Sequence, residues 1–197
     1  MQTVAAIESV TMLSDSPIEA AAEKAHVRTG TEVAEILRQN GWLRPDQNVE
    51  LDSAMIRWLA QAGDLLGPRA AIRESLAALL ELIFSYDAAG ILSLRESQEV
   101  MARAGAREVI REFANRVLDG GDLDSDRLKQ IIDEMKLAVP YRSRAMFHPI
   151  RLALTGRAGE GELDRVILLI DTASNLNFAR AVKSTRQRAL EFCGALD

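Results

Sequence analysis

"FHPIRLALTG", residues 147–156, decides how the chain is read. Phe147 and His148 stand before Pro149, Arg151 interrupts an apolar run, and Gly156 ends it. Proline suits the first position of a helix, where its missing N–H would have had no partner anyway. The stretch therefore predicts a short helix starting at Pro149, with His148 as N-cap and Arg151 in the first turn. Backbone N–H groups at such an end lack intrahelical partners. Together with the positive end of the helix dipole, an outward-facing guanidinium there can hold a phosphate or a polar base edge. Arginine can read a base bidentately or stack on it, and His148 can stack too. The same residues allow a purely structural reading: Phe147 anchors the helix start, His148 caps it, and Arg151 pairs with a carboxylate.

Outward from this stretch the pattern is helical. Thr29 and Glu32 have capping-box spacing before Val33, Ile36 and Leu37, and Gly41 stops that helix. "LRPDQN" reads as a turn. Asp52 caps a segment with Met55, Ile56, Leu59 and Ala62 at helical spacing. Pro68 opens a helix that continues through Ile72, Leu76, Leu79, Leu80 and Ile83, and "SYDAAG" breaks it. Ser93 and Glu96 suggest a second capping box, Gly105 a division, and Gly120 with Gly121 a stop. "DLDSDRLKQIIDEMKLAV" is amphipathic, with acidic residues in its first turn where the dipole favours them. A helix from "ELDRVILLI" and a C-terminal helix through "FARAVKSTRQRALEFC" follow. No segment alternates with period two, so the expected class is all-α. Residues 1–30 read as a tail or loosely packed helix, 31–121 as a first helical subdomain and 122–197 as a second; the Pro140 turn is an alternative boundary.

Composition fits this class. Apolar residues make up 48% and aromatics only 5%, which favours helices packed through Ala and Leu over sheet packing. The net charge of −5 argues against a general nucleic-acid coat, yet the charge is uneven. From Ala138 to Asp197 there are nine Lys/Arg against six Asp/Glu, a local +3, which leaves −8 on the residues before. The start lacks a basic signal-peptide region, no apolar run is long enough to span a bilayer, and Cys193 has no second cysteine to pair with. A cytoplasmic protein without membrane contact is expected.

Chemistry-bearing motifs are missing. His26 and His148 are the two histidines, and with one cysteine they form no zinc pattern. Neither the phosphate-cradling glycine motifs nor a nucleophile elbow occurs, so neither a cofactor nor catalysis is expected.

The stretch "MFHPIRLALTGRAGEGELDRVILLI" resembles the C-terminal anticodon-binding region of bacterial-type glutamyl-tRNA synthetases. There an apolar or aromatic residue precedes Pro-Leu-Arg-x-Ala-Leu-Thr-Gly, then a loop and a helix. Pro149, Ile150, Arg151, Ala153, Leu154, Thr155 and Gly156 fill that pattern. "VAEILRQNGWLRPD", "FSYDAAGIL", "AREVIREFANRVL" and "LKQIIDEMKLAV" match it more loosely, so the resemblance covers roughly residues 31–172. It implies an α-helical cage of two subdomains that reads anticodon bases. It further implies that Arg151 contacts a base, that His148 stacks on one, and that the loop at Glu160 and Gly161, with Leu163 beyond, adds contacts.

The loop departs from the family pattern: "AGEGEL" stands where a Pro-Gly turn is frequent, and Glu160 brings negative charge beside RNA unless it accepts from a base amino group. Arg144 and Arg157 can compensate. The nucleotide-binding domain and catalytic signatures of a synthetase are absent from this sequence. The reading is thus a non-catalytic module that binds the anticodon arm of a glutamate-type tRNA, alone or with a separate synthetase chain. The alternative is a helical scaffold for protein partners that has lost RNA binding, which the acidic first part and Glu160 favour.

Overall fold

The computed structural model describes residues 29–44, 52–120, 123–159 and 162–197. The expectations for residues 1–28, for most of "LRPDQN", and for Gly121, Glu160 and Gly161 lie outside the described residues. Everything described is helix, turn or irregular chain, with no strand among the described residues.

The first helix, α1 (Gly30–Gln39), starts where Thr29 accepts a bond from the Glu32 N–H at 3.3 Å, and it buries Val33, Ile36 and Leu37. Gly41, at φ 68°, turns the chain away. Asp52 opens α2 (Ser53–Leu66) by accepting from the Met55 N–H at 2.7 Å. Met55, Leu59, Ala62 and Leu66 form its buried stripe, whereas Ile56 is 54% exposed. Residue 56 sits one step, about 100°, around the helix from that stripe.

Pro68 does not begin the long helix expected there. It sits in a single 3₁₀ turn, Gly67–Arg69. Ala70 then becomes extended and buried, and α3 (Arg73–Phe84) starts only after Ile72. "SYDAAG" is only partly a break, because Asp87 accepts from the Ala89 N–H and opens the short α4 (Ala88–Ser93). Ser93 caps nothing. Its hydroxyl donates back to Gly90 at 2.7 Å, and Leu94 precedes α5 (Arg95–Met101). Gly105 does divide the segment, at φ 79° before α6 (Ala106–Leu118). A Cβ there would lie 1.9 Å from the Tyr141 ring, so side-chain space and dihedral both demand glycine.

Next come α7 (Ser125–Ala138), α8 (Arg144–Thr155), α9 (Leu163–Ser174) and α10 (Thr185–Leu196). The last of these is shorter than the sequence suggests. Residues 178–184 are not helical, and Ser184 with Gln187 makes a reciprocal capping box.

Three buried clusters hold these helices. In one, Trp42 stacks on Phe84 at 4.8 Å between centroids, Phe178 meets Trp58 and Phe84 edge-on at 5.0 Å, and the Trp58 indole donates to the Leu169 carbonyl at 2.9 Å. Val166, Leu169, Ile170 and Ala173 of α9 enter this cluster with α1, α2 and α3. Leu163 and Ile167 of the same helix enter a second, with α6, α7 and α8. Being apolar on several faces, α9 joins both cores. The third cluster packs Tyr86, Val100, Ile110, Leu152 and Phe192 between α5, α6, α8 and α10. Truncating a buried aromatic such as Trp58 to alanine costs about 3–5 kcal/mol, so these clusters carry much of the fold.

Candidate nucleic-acid interface

The helix carrying Arg151 starts five residues earlier than its proline suggests. Ser143, at φ 48° and ψ −127°, makes the bend into α8, and its carbonyl accepts from the N–H groups of Met146 and Phe147 at 3.1 and 2.9 Å. Ala145 donates to Arg142. Pro149 therefore lies inside the helix. Its φ is helical, and the loss is confined to one backbone bond and the crowding of the preceding turn. Two expectations are corrected: His148 is not an N-cap, and Arg151 is not beside free first-turn donors.

Nor does Arg151 face outward. It is 7% exposed, because α8 buries residues on every side from Pro149 to Leu154. What Arg151 reaches is a cavity of about 660 Å³ between α7, α8 and the start of α9. Leu128, Ile132, Phe147, Leu163 and Ile167 give this cavity apolar walls. Lys129, Lys136, Arg144 and His148 add basic groups to its lining, and Asp133, Glu162 and Asp164 acidic ones. Two of the acids are engaged: Asp133 with Lys136 and Glu162 with Arg165, each at 2.7 Å. Burial lowers the Arg151 pKa, the nearby Arg69 charge lowers it further, and Asp164 opposes both. An arginine remains charged through such shifts.

Of the six residues singled out in the sequence, Arg144, His148, Arg151 and Leu163 meet on this cavity. Arg157 is exposed and lines a neighbouring hollow instead, on the far side of Gly159. Glu160 is outside the described residues. The Thr-Gly pair of the motif has a local cause. The Thr155 hydroxyl donates to the Arg151 carbonyl at 2.9 Å, and Gly156 takes the left-handed conformation, φ 73°, that ends α8.

Sequence reasoning missed Lys129, Lys136 and Arg69 near the site. It also missed the support beneath it, Arg188. That side chain is 0% exposed and donates to the Lys183 carbonyl at 2.9 Å, Leu82 at 3.0 Å, Leu154 at 2.7 Å, and Ile83. Leu82 and Ile83 end α3 and Leu154 ends α8, so one cation satisfies the carbonyl ends of two helices. Burial pulls its pKa down to about 10. Its guanidinium lies 4.7 Å from the centre of the Tyr86 ring. The Tyr86 hydroxyl donates to Ala153, and its pKa is pushed up by burial. Thr185, Arg188, Ala189 and Phe192 are the buried residues of α10, so the fold puts an arginine in an apolar register that the run of charges around it does not announce.

The described residues include no cluster of three or more His, Cys, Asp or Glu fit for a metal, and no helix long and apolar enough to cross a membrane. The described residues thus form a helical domain in which an arginine and apolar side chains line one cavity. The anticodon-binding-domain family model matches residues 32–173, and the chain belongs to that family. It is 27% identical over 128 residues to a glutamate–tRNA ligase of Sulfurihydrogenibium sp., covering 63% of this chain and 25% of that enzyme. A glutamate–tRNA ligase of Bacillus licheniformis is 26% identical over 121 residues, 61% of this chain and 24% of the ligase. Glutamate–tRNA ligase 1 of Caldicellulosiruptor saccharolyticus is 28% identical over 75 residues, 38% of this chain and 16% of that protein. The chain thus spans a quarter or less of the length of these relatives. No solved structure matches it.

Proposed function

We propose that this chain binds the anticodon arm of a glutamate-type tRNA and performs no aminoacylation itself, acting alone or beside a separate synthetase chain. The observation that carries the reading is the meeting of Arg144, His148, Arg151 and Leu163 on one cavity, within a chain of the anticodon-binding-domain family. An unpaired base has an apolar face and a polar edge. The leucine, isoleucine and phenylalanine walls suit the face, and the Arg151 fork suits acceptor atoms on the edge. Arg144, Lys129 and Lys136 lie at the same cavity, where they attract the phosphate chain. His148 offers a ring for stacking. Its burial strengthens any contact between Arg151 and a base, because the local dielectric is low.

The test is direct. The protein is mixed with total tRNA at low and moderate salt, and the bound RNA is sequenced. Enrichment of glutamate-type tRNA, with affinity falling steeply as salt rises, is the expected result. Absence of any retained RNA at low salt, with protein partners recovered from the same preparation, selects the scaffold reading instead.

A further inference from the structure

We infer that the backbone of the bound RNA leaves the cavity over His148 and follows Arg103 and Arg107, a phosphate track at the start of α6. The inference rests on the RNA reading above and adds a second contact surface to it. Arg103 Nη1 lies 3.5 Å from His148 Nδ1, and His148 lines the cavity. The cavity and the turn before α6 therefore meet at this pair. Beyond it, Arg103, Arg107 and Arg111 are exposed and share a second hollow of about 550 Å³.

The two hollows differ in kind. The first has apolar walls that suit a base. The second includes Arg103, Arg107 and Arg111 in its lining, at the beginning of a helix whose N-cap, Gly105, contributes no side-chain oxygen. The dipole there adds to the arginine charge. Two acids also line this hollow: Glu112 is paired with Arg116 at 2.7 Å, whereas Glu108 accepts from the neutral Tyr141 hydroxyl at 3.2 Å and keeps its charge, which subtracts from the two arginines without cancelling both. Arg111 binds Asp197 at 2.6 Å, so it is left out of the track. Arg107 donates from Nη1 to the Leu196 carbonyl at 2.8 Å, a bond that leaves its charge uncancelled. Phosphate contacts of this kind position a nucleic acid and carry the salt dependence, whereas base contacts carry specificity.

An anticodon-arm hairpin RNA is titrated from about 50 to about 200 mM salt with the wild type and three variants. R103Q/R107Q should lose about 0.7 of log–log salt slope per lost phosphate contact, about 1.4 in all, and bind about tenfold more weakly at the low end. R103K/R107K keeps both charges and should keep the slope, since lysine holds phosphate as a point charge. Arg151→Ala should weaken binding with little change of slope. An unchanged slope in R103Q/R107Q, with Arg151→Ala still weakened, overturns the track and leaves the RNA reading standing. No binding by the wild type at about 50 mM salt overturns the RNA reading itself, and the track with it.

Discussion

Two arginines are sunk in this molecule, and they are sunk differently. Arg188 is fully enclosed and spends its donors on four backbone carbonyls of its own chain. Arg151 is nearly as enclosed, yet it lines a cavity of about 660 Å³ with basic, acidic and apolar neighbours. The first guanidinium holds helix ends together. The second is presented to a space large enough for a guest. Burial alone says nothing about which role an arginine has; what separates these two is that Arg151 lines a cavity. The two are also connected, since Arg188 and Tyr86 hold the carbonyls of Leu154 and Ala153 in the last turn of the helix that carries Arg151.

The comparison can be broken by mutation. Arg188→Met should have the largest effect, a loss of about 3–5 kcal/mol in unfolding free energy, because buried carbonyls of two helix ends lose their donor together. Urea unfolding measures it, and a loss under about 1 kcal/mol would show that water or neighbours replace the guanidinium. Arg151→Ala should weaken anticodon-arm binding about 10- to 100-fold, about 1.4–2.7 kcal/mol, while the urea midpoint moves little. If the midpoint instead collapses, Arg151 belongs with Arg188. Tyr86→Phe removes the hydroxyl bond to Ala153 and keeps the ring. About 1 kcal/mol of stability should go, with a smaller effect on RNA affinity, read by the same two assays. Lys129→Ala should be the mildest change, a loss of affinity under about threefold that is similar for every tRNA tested, as a rim charge predicts.

Much of this architecture is written locally in the chain. Capping residues Thr29 and Asp52 mark helix starts through bonds to N–H groups three residues on, and Gly105 and Gly156 mark turns through left-handed backbone. Local signals failed where two of them competed. Pro149 looks like a helix start, but Ser143 supplies the carbonyl that organises the preceding turn, and the proline is absorbed inside. Ser93 looks like a cap, but its hydroxyl found Gly90 first. At the site, Arg144, His148 and Arg151 were legible because one helix carries them. Lys129 and Lys136 come from α7, and Arg69 acts from the turn after α2; only tertiary packing brings them near. Arg188 was hidden for the opposite reason. A charged residue among other charged residues reads as solvated surface until the buried face of α10 is known.

The most direct test of the account uses a glutamate-type anticodon hairpin and the same hairpin with its three anticodon bases replaced, each titrated by fluorescence anisotropy against the wild type and Arg151→Ala at fixed salt. The account predicts that the wild type prefers the native hairpin by at least about tenfold and that Arg151→Ala binds both weakly and nearly alike. Equal binding of the two hairpins by the wild type, unaltered in Arg151→Ala, would contradict it.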